Sequence, residues 1–427
     1  MKMEGLYMGK CKEKIIFHID VNSAFLSWTA ADALQHGETV DIRKIAAVIG
    51  GDPLSRHGIV LAKSMLAKKY NIKTGESLFS ARQKCPKLKV VAPKYDLYVR
   101  CSNAMLNILN EFTPVIQRFS IDECFLDFSN MENIYKDTMK LAYDIKDRIN
   151  RELGFTVNIG IAHNKLLAKM ASDLEKPDKV HTLFENEIKK KMWPLPVGDL
   201  FMVGRATEPK LHKLNINTIG ELANFDINIL KTVFKSHGNL IWNYANGIEN
   251  SKVKPGNLTD MKSMGNSTTM AFDISDRSTA YMVLLSLCET VGMRLRNSQN
   301  LCTLVSIEIK NSDFSCYSRQ RKLMHATDCT NEIVKTTYSL FDEVWKGEKL
   351  RLLGVSVSEL CSNENYQISI FDNKDMEKHR ALDSTIDKIR MKYGSNSVQR
   401  GMFLQSGLKP MSGGVGEDEY AEMSSRL

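Results

Sequence analysis

The sequence predicts a multi-domain α+β protein, on three observations. At 427 residues, 43% apolar and 25% charged, the chain is long enough for roughly two to four cores. Strand-period and helix-period segments alternate without a regular βα repeat. A polar run from Ser251 to Asn266, with Lys252, Lys254, Pro255 and Gly256, separates two such patterns as a linker does.

The first strand is read from Ile15 to Val21, where Ile15, Phe17 and Ile19 alternate with Ile16, His18 and Asp20, the period of a half-buried strand. Asp20 then sits near a strand end. Asn22 and Ser23 are N-cap types, and a helix carrying Phe25, Leu26, Trp28 and Leu34 should follow, to about Gly37. Lys44 to Ile49 and Gly58 to Ala62 read as strands around a Gly50-Gly51-Asp52-Pro53 turn, and Ser64 to Tyr70 as a helix, together a small inserted lobe.

Val115–Ile121 and Cys124–Phe128 are β-rich and meet at Asp122-Glu123, which places the acidic pair at a hairpin turn. Leu141, Ile145 and Ile149 mark a helical face closed by Gly154. Val157, Ile159 and Ile161 alternate in a strand, and Leu166, Leu167, Met170 and Leu174 form another helical face. The expected result is an antiparallel sheet covered by helices on one side. From about Met192 to Ala245 the pattern is wholly helical.

Past the linker come a helix over Ala280–Arg296, strands at Cys302–Lys310 and Ser315–Leu323, a helix around Ile333–Trp345 and a strand at Leu350–Leu360, a second small α+β domain. Leu382, Ile386 and Ile389 suggest one more amphipathic helix, and Ser412–Leu427 is small and polar enough for disorder.

A formal charge of +8 suits a polyanionic partner without requiring one. No run of about eighteen apolar residues could span a bilayer, so no membrane partner is expected and a cytoplasmic location is. Nine cysteines without a C-x-x-C pair read as reduced thiols rather than zinc ligands.

A strand-end Asp facing a hairpin-borne Asp-Glu pair supplies the hard oxygens that Mg²⁺ prefers. Two such ions roughly 3.5–4 Å apart can activate a 3′-hydroxyl and stabilise a leaving pyrophosphate. Any one of these acids alone is more often merely solvated. Their surroundings, Ile19-Asp20-Val21-Asn22-Ser23-Ala24-Phe25 and Phe119-Ser120-Ile121-Asp122-Glu123-Cys124-Phe125-Leu126-Asp127, resemble the two metal-binding motifs of the Y-family translesion DNA polymerases (the UmuC- and DinB-like, ImpB/MucB/SamB family). Asp20-Val21-Asn22 and Ala67-Lys68 are more similar to the UmuC-like branch.

The resemblance implies two Mg²⁺ ions bridged by the catalytic Asp20 and Asp122, with Glu123 on the catalytic ion and the Val21 carbonyl on the nucleotide-side ion. It implies that Phe25 is a steric gate against a ribose 2′-hydroxyl, although an isolated Phe is more commonly a core aromatic. It assigns Lys165, in Gly160-Ile161-Ala162-His163-Asn164-Lys165, to the triphosphate, and leaves Lys169 as a solvated neighbour. Lys68 stands where many relatives have a triphosphate-binding Arg, and Met65 where they have Tyr, which gives a point charge without a bidentate fork.

Val203-Gly204-Arg205 through Leu222 resembles the family's helix-hairpin-helix, whose turn N–H groups hold DNA phosphates without reading sequence. Met202 and Asn215 replace its usual Gly residues. Lys310, Tyr317, Arg319, Arg321 and Lys322 are expected to form a basic sheet face for the DNA backbone. Gln367-Ile368-Ser369-Ile370-Phe371 resembles a sliding-clamp peptide, with Gln367 as hydrogen-bonder and Ile370 and Phe371 as apolar anchors.

The match runs over roughly residues 12 to 372 and implies a right hand: palm from 12–24 and 91–175, small fingers from 25–90, a helical thumb at 176–250, a linker at 251–266, a little finger at 267–361 and a tail at 362–427. The implied activity is template-dependent, low-fidelity DNA synthesis by a monomer acting on primer-template DNA, dNTPs and the clamp. Two rivals remain at this point. A palm-type nucleotidyl cyclase would share the carboxylates but need neither hairpin nor clamp peptide. A non-catalytic DNA-binding scaffold of polymerase ancestry would fit the Met65 and Met202 departures.

Overall fold

The computed structural model describes residues 14–52, 56, 58–131, 133–255, 261–363 and 375–404. They divide into two compact units, the first from 14–50 and 60–255 and the second from 261–363 and 375–404 together with the described part of 51–59.

The first unit is organised by β1 (Ile16–Val21), every residue of which is buried. It runs on into α1 (Ala24–Gln35), β2 (Ala47–Gly50), β3 (Val60–Lys63), α2 (Met65–Lys69), α3 (Leu78–Lys84), β4 (Lys89–Val91) and α4 (Tyr95–Asn110). Next come β5 (Ile116–Arg118), β6 (Glu123–Asp127), α5 (Thr138–Leu153), β7 (Val157–Ala162), α6 (Lys165–Asp173) and β8 (Val180–Thr182). The helices α7 (Ile188–Lys191), α8 (Glu208–His212), α9 (Ile219–Ala223), α10 (Ile227–Phe234) and α11 (Ser236–Ala245) complete it.

The main sheet has the order β5-β6-β1-β7-β8, antiparallel except where β8 joins β7. The period of two sends Phe17, Ile19 and Val21 to one face, where they meet Trp28 of α1, Leu109 of α4 and Ile145 and Ile149 of α5. Each such side chain removed from water contributes about 1.5–3 kcal/mol.

The other face is not open, as one-sided cover would leave it: α6 lies across it. Gly160 permits the approach, since a Cβ there would fall 1.9 Å from Ala168 O and 2.5 Å from Ser172 N. A second sheet, β3-β2-β4, forms the small lobe. The helical stretch closes a further core with α6, including Leu166, Leu211, Ile219 and Ile241.

The second unit holds β9 (Ser263–Ile274), α12 (Arg277–Asn297), β10 (Asn300–Asn311), β11 (Cys316–Thr327), α13 (Thr330–Val344), β12 (Leu350–Ser362) and α14 (Asp375–Tyr393). Its sheet, in the order β11-β10-β12-β9, is antiparallel. Strand β9 begins at Ser263, inside the stretch read as linker.

Helix α14 docks with its charged side inward. Asp383, Asp387 and Arg390 are buried, paired with Arg296 of α12 (2.6 Å to Asp387) and Glu289 of α12 (3.2 Å from Arg390). Leu382 is 54% exposed. An ion-pair network therefore outcompetes the apolar stripe that the sequence pattern would have turned inward. Among the described residues no helix is long and apolar enough to cross a membrane.

Candidate active site

Asp20 lies near the end of β1 directly opposite Glu123, the first residue of β6. The Val21 N–H donates to Asp122 O at 3.1 Å, which ties the Asp122 main chain to the end of β1. The turn before β6 is tight: Phe119 and Ser120 N–H groups both reach Glu123 O, at 2.9 and 3.1 Å. Ser120 Oγ donates to Asp122 Oδ1 at 2.6 Å, and Ser102 of α4 holds the Ile121 carbonyl.

Burial and the neighbouring carboxylates decide the charges. Burial pushes Asp20 up to about 7, opposed by Lys176 and reinforced by Glu123 and Asp122. Burial likewise raises Asp122, with Ser120 opposing and Glu123 adding to the rise. Glu123 goes the other way: burial opposes its ionisation, but His18 and Lys169 outweigh burial and hold it at about 2. Lys169 Nζ is 2.8 Å from Glu123 Oε2, whereas His18 Nε2 at 3.7 Å is beyond hydrogen-bonding distance. Burial lowers the His18 pKa, and its Nδ1 meets Ser172 Oγ at 2.8 Å.

Two lysines thus supply the positive charge here, and neither is the one singled out in the sequence. Lys169 is 8% exposed, with its ammonium over the rings of Phe119 and Phe201 at 5.3 and 5.7 Å, not a solvated neighbour. Lys176 bonds Asp20 and lies 2.7 Å from Asp173. Its segment is fixed by Asn158, which donates to Ser172 O and Glu175 O at 3.0 and 2.6 Å and accepts from Asn22 Nδ2 at 3.0 Å.

Lys165 does not stand with the carboxylates. It is 2% exposed, its ammonium 3.3 Å from Gln117 Oε1 and 5.8 Å from the Phe125 ring centroid. The signal that could have found Lys176 is the Lys-Pro step just beyond α6, where the helical pattern stops.

Phe25, in the first turn of α1, is half-buried and stacks on Tyr98 with centroids 4.4 Å apart and planes at 6°. Tyr98 is fully enclosed, its hydroxyl 3.1 Å from Thr29 Oγ1. Lys68 and Met65 are exposed on α2.

Gly204 and Arg205 are exposed in the turn before α8, with open space where a Gly204 side chain would stand. Met202 and Asn215 both adopt positive φ, 73° and 59°, so the left-handed conformation persists without glycine. At Asn215 it closes a Schellman turn, Ile216 N–H to Leu211 O at 3.1 Å and Asn215 N–H to His212 O at 2.9 Å.

The expected basic sheet face is divided. Arg321 and Arg319 lie opposite the core residues Val305 and Ile307, so the pleat turns them to the helix side. There Arg321 pairs with Glu343 of α13, and Arg319 lies 3.9 Å from the same carboxylate. Lys310 neighbours the buried Ile309 and takes the opposite face, as Lys322 does beside Arg321. Gln367, Ile370 and Phe371 lie outside the described residues.

The donor set suits a hard divalent cation: three carboxylates at the meeting ends of two strands, two of them raised by burial and shared charge. Among the described residues no three acidic, His or Cys side chains converge on one point, because Asp20 and Glu123 face ammonium groups and Asp122 faces Ser120. The chemistry and position of the donors fit a metal, with the lysines now in the balancing role.

Comparison with known proteins matches residues 19–173 to the impB/mucB/samB family, 261–370 to the C-terminal domain of that family and 185–216 to the IMS family HHH motif. The chain is 52% identical over 392 residues to a DNA polymerase IV of Clostridium acetobutylicum, covering 92% of this chain and 98% of that one. It is 38% identical over 397 residues to a DNA polymerase IV of Acetivibrio thermocellus, with the same coverages. DNA polymerase IV 2 of Bacillus subtilis is 34% identical over 401 residues, 92% of this chain and 95% of the relative. Among solved structures, a Y-family DNA polymerase chimera, Dbh-Dpo4(243-245)-Dbh, superposes with a TM-score of 0.69 at 21% identity, over 82% of this chain and 100% of that one. That last likeness is one of fold.

Proposed function

The chain belongs to the impB/mucB/samB family, the Y-family polymerases of the DinB and UmuC type, and from that premise we infer that it extends primers across damaged as well as intact templates. It is a DNA-directed DNA polymerase, a nucleotidyltransferase acting on primer-template DNA and dNTPs, and it depends on a divalent metal. The observation that carries the reading is the pairing of Asp20 with Glu123, with Asp122 beside them, inside the matched residues 19–173.

We propose Mg²⁺ as the metal, two ions held by Asp20, Asp122, Glu123 and the Val21 carbonyl. Bound there, they would acidify the primer 3′-hydroxyl and stabilise the charge of the departing pyrophosphate. Lys176, a half-exposed ammonium at the carboxylate end of α6, takes the triphosphate role expected of Lys165. Lys68 on α2 adds a second positive charge for the same anion. The Phe25 ring, held by Tyr98, excludes a 2′-hydroxyl. Lys169 holds the Glu123 carboxylate in place.

The exposed turn at Gly204 and Arg205 suits a DNA phosphate. Lys310 and Lys322, on the sheet face away from α13, take the backbone contacts expected of Arg319 and Arg321. We assign Gln367, Ile370 and Phe371 to a sliding clamp, and read the protein as a cytoplasmic monomer. Primer extension with Mg²⁺ on intact and abasic templates tests the proposal. Extension of both by the wild type, lost in Asp122→Ala, is the expected result; no extension by the wild type would remove the claim.

A further inference from the structure

The connection to the second unit does not leave the first at the end of α11. Residues 247–254 run back over the start of α6 and the edge strand β5, and three contacts fasten them. Asn164 Nδ2 donates to Gly247 O at 2.9 Å. Val253 is 6% exposed, within the same core as Leu166 and Leu167. The Lys254 N–H donates to Gln117 Oε1 at 3.1 Å, and the same oxygen accepts from Lys165 Nζ at 3.3 Å. Burial lowers the Lys165 pKa, the Glu249 charge opposing that shift and the Lys254 charge adding to it, and the buried Glu249 Oε2 has no hydrogen-bond partner among the described residues.

Gln117 and Lys165 are thus enclosed side chains, 4% and 2% exposed, whose polar ends meet the departing chain. An ammonium removed from water needs compensating partners, and losing one is far more damaging than losing a surface pair. We infer that Lys165 is a positioning residue that straps residues 247–254 onto β5 and α6 through Gln117, with Glu249 as the nearby opposing charge, so that the connection to the second unit starts at Lys254 rather than at Asn246.

Freeing the strap adds eight residues, 247–254, to that connection, each spanning at most about 3.3–3.6 Å. A longer tether lowers the effective concentration of a second DNA-contacting module. This consequence rests on the polymerase reading; the strap itself does not.

The test uses the full chain and the variants Lys165→Met and Glu249→Gln, checked for native melting. Trypsin cutting of the Lys252–Val253 bond, followed by mass spectrometry, needs no DNA. Because Val253 is buried, release should accelerate cutting at least about tenfold in both variants. In primer extension, KM for primer-template should rise about fivefold or more, with KM for dNTP and the saturating rate unchanged.

If Lys165→Met fails to fold, Glu249→Gln decides, since Glu249 is only half-buried. Wild-type cutting in a folded variant overturns the strap, as does a rise in KM for dNTP instead of DNA, which would return Lys165 to the nucleotide. Faster cutting in a chain without polymerase activity would keep the strap and remove the function.

Discussion

Lys169 Nζ lies 2.8 Å from Glu123 Oε2, enclosed by Phe119 of the turn before β6 and Phe201 of the helical region. A carboxylate proposed to hold the metal is therefore compensated before any metal reaches it. Removing one member of so enclosed a pair leaves the other uncompensated, at about 3 kcal/mol. Lys169→Met should be destabilised by roughly that amount in a chelator, and Mg²⁺ should recover part of the loss. Urea unfolding with and without Mg²⁺ measures both; equal loss in the two conditions would contradict the pairing.

Phe25 is backed by a parallel Tyr98 ring at 4.4 Å, which blocks its movement to that side and suits the gate proposed for it. Phe25→Ala should reduce discrimination between dNTP and rNTP at least about tenfold, equivalent to about 1.4 kcal/mol, while Phe25→Tyr retains it. Incorporation kinetics with the paired nucleotides read this directly. Unchanged discrimination in Phe25→Ala would leave Phe25 a core aromatic.

The strand ends were readable because the period of two is strong around Asp20 and the hairpin residues bracket Asp122-Glu123. What periodicity could not give was the identity of the buried cations. Lys165, Lys169 and Ser172 share one stripe of α6, and Leu166, Leu167 and Met170 another. Both stripes are buried, because the helix lies between the sheet and the helical region. A pattern that assumes one wet side places both lysines in solvent or on a ligand.

Residues 71–114 carry no predicted element, yet Leu97, Met105, Ile108 and Leu109 fill the core from α4. For α14 the pattern gives the helix, and the side it buries is set by Arg296 and Glu289, far away in sequence, which pair with its charges. Met202 and Asn215, which stand where the family motif has Gly, keep the left-handed conformation that Gly would take.

Asp20 rises from 3.8 to about 7 on folding. Between those values the folded chain keeps a proton that the unfolded chain has lost, so this group makes the metal-free protein less stable as pH rises from about 4 to 7. The whole shift corresponds to at most about 4 kcal/mol. Glu123, held at about 2, acts in a separate window, losing its stabilisation as pH falls below 4.5. Urea midpoints in a chelator should fall between pH 5 and pH 8 for the wild type and fall less for Asp20→Asn. A wild-type midpoint that falls no more than the variant's would contradict the raised Asp20.

Gly160 lets α6 lie on the sheet, and a methyl group there would meet the Ala168 carbonyl at 1.9 Å. Because backbone cannot yield as a flexible side chain can, Gly160→Ala should cost about 3 kcal/mol or more and displace Lys169 with the helix. Thermal unfolding and polymerase rate should fall together. A variant with native stability would contradict the close approach.

Asp20, Asp122 and Glu123 are proposed to act as one metal-holding group for nucleotidyl transfer. Single-turnover incorporation of one dNTP at saturating Mg²⁺, for the wild type and for Ala at each position, tests it most directly. Each substitution should slow the step at least about a thousandfold, roughly 4 kcal/mol, with primer-template affinity retained. A variant within tenfold of the wild type would remove that residue from the group, and three such variants would place the chemistry elsewhere.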